Sequence, residues 1–149
     1  MRTQRSRTQQ TVLVIEDYAD SREMLRLLLE SLDYRVITAK DGKEALAVAS
    51  DEHIDLVLTD LGLPDMSGVT VVRLLRKLND HLRRVPIIML TAFDGNEYYR
   101  SAVQAGCTAF LKKPPDFDKL QDMIERLLRQ PLNEHSRFSR NSPILTVVR

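Results

Sequence analysis

Short apolar runs alternate with amphipathic stretches along this chain. Residues 11–15 (TVLVI) are continuously apolar and stop at Glu16-Asp17, the pattern of a strand covered on both faces. Asp20 with Glu23 three residues on predicts a capped helix, and Leu25, Leu28, Leu29 and Leu32 give its inward stripe. Residues 35–39 (RVITA) read as a more exposed strand. Asp41 and Glu44 repeat the capping signal, with Leu46 and Ala49 facing inward. Residues 55–59 form a third strand ending at Asp60. A Pro64 to Gly68 loop then leads into a helix carrying Val71, Leu74, Leu75 and Leu78. Residues 85–90 form a fourth strand ending in Thr91-Ala92, and Asp94 with Glu97 opens a helix that stops near Gly106. Residues 108–111 form a fifth short strand before Lys112-Lys113-Pro114-Pro115. Asp116 caps a last helix, with Leu120, Ile124, Leu127 and Leu128 inward and Pro131 as its stop.

Five strands alternating with five helices predict an α/β fold with a parallel sheet and helices on both faces. Right-handed crossovers leave few topologies, and the doubly wound, flavodoxin-like order 2-1-3-4-5 fits best. The 149 residues suit one domain with a real core, and 43% hydrophobic and 29% charged residues are ordinary for a globular chain. Net charge is +1. Arg2, Arg5 and Arg7 make the start basic, and Arg137, Arg140 and Arg149 do the same for the end. The body between is mildly acidic, which argues against a dedicated nucleic-acid binder. The expected organisation is a disordered basic arm over 1–10, the domain over 11–130, and a tail over 131–149. Disorder is the default for that tail, although 144–148 (ILTVV) has the composition of a strand or a packing segment. One cysteine, Cys107, permits no internal disulfide and suits a reducing, cytoplasmic setting; it reads as a small buried hydrophobe. No signal peptide and no membrane-length apolar run is present.

In a parallel sheet the C-terminal strand ends share one edge. Glu16-Asp17, Asp60, Thr91 and Lys113 each follow an apolar run directly, so all four positions should converge there. Close carboxylates repel unless a cation sits among them. Mg²⁺ suits an all-oxygen set of Glu16, Asp17 and Asp60, which a backbone carbonyl at Gly62 can complete. Zinc does not suit this edge. His53, His81 and His135 are scattered in sequence and read as solvated surface residues. A carboxylate beside Mg²⁺ can attack phosphorus to give an aspartyl-phosphate. Lys113, the Thr91 hydroxyl and the Ala92 N–H would then hold the equatorial oxygens.

With these residues in order and on the right elements, residues 11–130 resemble the receiver domain of two-component response regulators. The acidic pair matches Glu16-Asp17, and the phosphoacceptor matches Asp60 in D-x-x-[LM]-P-x-M-x-G. The switch hydroxyl matches Thr91 before Ala92, the switch aromatic matches Phe110, and the K-P signature matches Lys113-Pro114. The resemblance implies phosphoryl transfer to Asp60, with Mg²⁺, from a histidine kinase or a histidine phosphotransfer protein, and slow self-dephosphorylation as the only other chemistry. Thr91 would move toward the phosphoryl group and Phe110 would turn inward. That would reshape a partner-binding face on the fourth helix, fifth strand and fifth helix, with Tyr98, Tyr99, Gln104 and Lys112 on it. The Lys113-Pro114 bond would be cis.

Glu16 stands where Asp is more usual, and Pro115 where Phe is frequent. Gly62 and Phe93 flank the expected phosphoryl position; Phe93 would restrict the attacking water, and Gly62 offers it no side-chain guide. A haloacid-dehalogenase-type phosphatase needs D-x-D after the first strand, whereas Asp60-Leu61-Gly62 follows the third. A flavin binder would place donors rather than Glu-Asp in the first loop. The nineteen residues from Pro131 onward are too few for a DNA-binding module, so the expectation is a stand-alone, chemotaxis-regulator-like domain. It would have no direct DNA or membrane contact and would be monomeric or dimerise on phosphorylation. The alternative is the receiver portion of a longer regulator or a hybrid kinase.

Overall fold

The computed structural model describes residues 8–92, 96–129 and 147–148. Its strands are β1 (Thr11–Ile15), β2 (Arg35–Ala39), β3 (Leu56–Asp60), β4 (Ile87–Thr91), β5 (Ala109–Lys112) and β6 (Val147–Val148). Its helices are α1 (Ala19–Ser31), α2 (Gly42–Asp51), α3 (Gly68–Leu78), α4 (Asn96–Ala105) and α5 (Phe117–Arg129). The sheet is parallel throughout, in the order β2-β1-β3-β4-β5-β6. The expected five-strand order is therefore present, and β6 adds two residues beside Phe110 and Leu111.

Alternation along the strands divides the core in two. Leu13, Ile15, Val57, Ile87 and Met89 face α2, α3 and α4, where Ala45, Val71, Leu75 and Ala102 meet them. Val12, Val14, Leu58, Ile88 and Leu90 face α1 and α5, against Leu25, Leu29, Leu120 and Ile124. Every residue of β1 is buried, which explains its unbroken apolar run. β2, at the sheet edge, is only partly covered.

Several local expectations are revised. α1 starts at Ala19, with Tyr18 at the N-cap and no side-chain cap, so Asp20 lies in the first turn instead of capping it. Asp41 does cap α2, accepting from the Glu44 N–H, and Asp116 accepts from the Asp118 and Lys119 N–H groups at the start of α5. In α3 the buried stripe is Val69, Val71, Val72 and Leu75, while Leu74 and Leu78 are exposed. Pro86 has no N–H for the ladder, and β4 begins one residue after it; the Pro86 carbonyl still accepts from Val57 N–H. The basic arm is not free up to residue 10: Gln10 O accepts from Arg35 N–H, and Gln9 Nε2 donates to Asp33 O. The cap expected at Asp94 lies outside the described residues.

Candidate functional site

The sheet ladder runs past the strand ends and fixes the residues that follow them. Glu16 N–H donates to Ala39 O at 3.0 Å, Leu61 N–H to Leu90 O at 3.0 Å, and Lys113 N–H to Thr91 O at 2.9 Å. Asp60 is the last residue of β3 and pairs in register with Leu90; Thr91 pairs with Lys112. Backbone pairing therefore delivers the polar groups to one edge.

There, Lys113 Nζ donates to Glu16 Oε2 at 2.7 Å and to Asp60 Oδ2 at 2.9 Å. Burial alone would lower the lysine pKa, but its hydrogen bonds to Glu16 and Asp60 outweigh it and the net shift is upward. Glu16 is 1% exposed, and both its carboxylate oxygens are engaged, Oε1 by the Tyr18 N–H at 3.2 Å. Asp17 is exposed. One oxygen each of Glu16, Asp17 and Asp60 lies within 4.8 Å of the others. An all-oxygen, net-acidic set of this kind fits a hard divalent cation such as Mg²⁺ and offers no soft ligand. Lys113, not the exposed Lys112, reaches the carboxylates, and the Lys113-Pro114 peptide is cis.

The loop after Asp60 is tied from three sides. Gly62 N–H donates to Asp60 Oδ1 at 3.4 Å, and Gly62 bridges to Ser67. Gly68 N–H donates to Leu61 O at 2.6 Å. Asp65 accepts from the N–H groups of Gly42 and Lys43 at the start of α2, and those bonds hold its carboxyl below the usual range. A Cβ on Gly68 would meet Asp60 O at 2.3 Å, so only glycine lets α3 approach the Asp60 backbone this closely.

Thr91 is half-buried and Ala92 exposed at the same edge. Phe110 is buried at 4% exposure, and its ring tilts against Tyr99 with centroids 4.8 Å apart. Phe110, the position the resemblance gives to the switch aromatic, thus lies inside the core. Tyr98, Gln104 and Lys112 are exposed. Phe93 lies outside the described residues.

Sequence reasoning missed Arg22, whose Nη1 donates to the carbonyls of Glu16 and Asp17 and steadies the acidic turn. It also missed Asp65. The signal for Arg22 was its place one helical turn after the acidic pair; for Asp65 it was only a long-range pairing with a helix start. His53 is exposed, as expected, while His81 is half-buried. The two are not scattered in space but stack at 4.2 Å beside Asp55, at the opposite edge of the sheet. His135 lies outside the described residues.

Comparison with known proteins follows the same lines. The response regulator receiver domain family model matches residues 12–125. The polar-differentiation response regulator DivK of Brucella ovis is 33% identical over 118 residues, covering 79% of this chain and 95% of that protein. The transcriptional regulatory protein ZraR of Salmonella typhimurium is 35% identical over 117 residues, 78% of this chain. The match spans only about a quarter of ZraR (26%). Among solved structures, chemotaxis response regulator CheY4 of Vibrio cholerae has a TM-score of 0.75 at 32% identity, covering 80% of this chain and 99% of that one. The receiver domain of sensor histidine kinase PA1611 from Pseudomonas aeruginosa PAO1, with a magnesium ion coordinated in its active site cleft, has a TM-score of 0.75 at 33% identity over 82% and 99% of the two chains.

Proposed function

Because the chain belongs to the response regulator receiver domain family, we propose that its Asp60 carboxylate is the phosphoacceptor of a phosphorelay. The supporting observation is the three-way junction of Asp60, Glu16 and Lys113 at the end of the sheet. A histidine kinase or a histidine phosphotransfer protein supplies the phosphoryl group. Asp60 Oδ attacks phosphorus, the O–P bond forms as the N–P bond of the donor phosphohistidine breaks, and the electron pair returns to the imidazole.

Asp17, Asp60 and the Gly62 carbonyl would hold Mg²⁺, with Glu16 reaching it through water; the ion supplies charge neutralisation for the attacking carboxylate and the phosphoryl oxygens. Lys113, already tethered to Glu16, stays beside the new phosphoryl oxygens as a third positive charge. The Thr91 hydroxyl and the Ala92 N–H supply neutral donors. Thr91 and Phe110 carry the change to the face of α4, β5 and α5, where a downstream protein binds. The chain is no enzyme toward other substrates, catalysing its own phosphorylation and slow dephosphorylation in the cytoplasm. The chemistry is the same whether the domain works alone or within a longer regulator.

Incubation with Mg²⁺ and a small acyl phosphate, followed by intact mass, tests this. One phosphoryl adduct is expected in the wild type and none in Asp60→Ala. No adduct at saturating donor would overturn the assignment.

A further inference from the structure

The end of the sheet remote from Asp60 carries a second cluster, of different chemistry. His53 and Asp55 flank the buried Ile54 in the loop from α2 to β3, and His81 lies in the loop from α3 to β4. The backbone places all three. Asp55 N–H donates to Thr11 O at 2.9 Å, while Asp55 Oδ2 accepts from Thr11 N–H at 2.7 Å, so the carboxylate is clamped to β1 with Oδ1 left over. The turn holding His81 is closed by Leu82 N–H to Asn79 Oδ1 at 2.8 Å and by Arg84 N–H to His81 O at 3.1 Å. Leu82 anchors it in the core at 1% exposure.

His81 Nε2 lies 2.6 Å from Ile54 O. A carbonyl only accepts, so Nε2 carries the proton and Nδ1 of the neutral ring keeps its lone pair. A ring N–H donating to a backbone carbonyl is the usual outer support of a metal-binding histidine. His53 Nε2 lies 3.3 Å from Asp55 Oδ1. That is the separation, about 3.3 Å, of two ligands on a tetrahedral ion with bonds near 2 Å. One donor atom of each of the three residues lies within 4.8 Å of the others. His53 has a 70% exposed side chain and stacks on the His81 ring, so it can turn off the stack to close the set without moving the core.

We propose that His53, Asp55 and His81 form a binding site for a transition-metal cation of the Zn²⁺ type, with water completing its coordination. Two imidazoles and a carboxylate suit Zn²⁺ and not Mg²⁺. Asp55 immediately precedes β3 and Asp60 ends it, so the two cation sites sit about 16 Å apart at roughly 3.3 Å per residue. The bound ion ties the α2–β3 loop to the α3–β4 loop.

The test is calorimetric titration of Zn²⁺ into the full chain in excess Mg²⁺, with imidazole NMR on the same samples. The chain has three histidines, so His135 serves as an internal reference. One Zn²⁺ per chain is expected, with the His53 and His81 signals moving together and that of His135 unmoved. Asp60→Ala should bind Zn²⁺ as the wild type does. His53→Ala should weaken binding by about tenfold or more. His53→Ala with His81→Gln, in which the glutamine amide can still donate to Ile54 O, should abolish it. Zn²⁺ should raise the melting temperature of the wild type but not of the double variant. Absence of saturable binding, retention in the double variant, loss in Asp60→Ala, or movement of the His135 signal would each overturn the site.

Discussion

Gly68 offers the sharpest test of how the sheet edge is held. An added Cβ would stand 2.3 Å from Asp60 O and 3.0 Å from Leu61 Cα, both backbone atoms with no rotamer to escape into. The Gly68 N–H also donates to Leu61 O at 2.6 Å, so α3 cannot withdraw without breaking that bond. Gly68→Ala must therefore push β3 and α3 apart by about 1 Å, and overpacking of this kind costs about 1–3 kcal/mol. At this domain size that corresponds to a fall in melting temperature of about 3–15 °C. The same shift carries Asp60 away from Lys113, and a displacement near 1 Å at a reacting group can cost about 100-fold in rate. Gly62→Ala is the control. Nothing lies within 4 Å of its added Cβ, and reduced chain entropy in the unfolded state should stabilise it by about 0.4–1 kcal/mol. Thermal unfolding and the initial rate of acyl-phosphate labelling, measured on both variants, separate the two glycines. Wild-type stability and labelling in Gly68→Ala would refute the reasoning.

Other consequences are equally direct. Burial pushes the Cys107 thiol up to about 12, whereas in the unfolded chain it titrates near 8.5, so unfolding releases a proton above that pH. Stability conferred by the neutral thiol is complete below about pH 8.5 and falls by about 1.4 kcal/mol per pH unit beyond it, up to the folded value; urea titrations from pH 8 to 10 should show that slope in the wild type and lose it in Cys107→Ala. Arg76→Met strands the carbonyls of Gly106, Leu82 and Val85 that its guanidinium serves, costing about 2–4 kcal/mol in urea unfolding, and Arg76→Lys should recover little because one ammonium cannot span them. Lys113→Met leaves buried Glu16 without its counter-charge and should lower both stability at pH 7 and labelling of Asp60. Lys113 has a raised folded pKa, so its contribution is full below the unfolded value near 10.4 and fades as pH climbs through the folded one, where the two proteins should converge in stability.

Much of this architecture was readable from local chemistry. The apolar runs marked β1, β3, β4 and β5 because a doubly covered parallel sheet leaves no room for alternation, while the partly covered β2 read as a more exposed strand; the register aligns the strand ends and so brings the polar residues after those runs to one edge. What escaped was chemistry between distant segments. His53 and His81 look unrelated in sequence and meet only because β3 and β4 are neighbours. Leu74 and Leu78 carry a helical period yet face outward, since Val69 and Val72 cover the sheet instead. Tyr18 takes the N-cap position that the Asp20 and Glu23 spacing suggested for Asp20, because β1 ends at Ile15 and the Glu16-Asp17 turn leaves room for the helix to start early.

Arg76 also has a mechanical meaning. Its Nε and Nη2 both donate to Gly106 O, just past the end of α4, where Gly106 itself takes a φ of +107° and Cys107 N–H closes on Ala102 O. That end of α4 is riveted to α3. Its other end begins at Asn96, a few residues beyond Thr91. A ten-residue helix is about 15 Å long, so a 1 Å pull at the Asn96 end becomes a swing of about 4° around Gly106. Exposed Tyr98 lies near that end. The fold therefore anchors α4 at its Gly106 end, and a change of angle about that anchor would be largest at the Asn96 end.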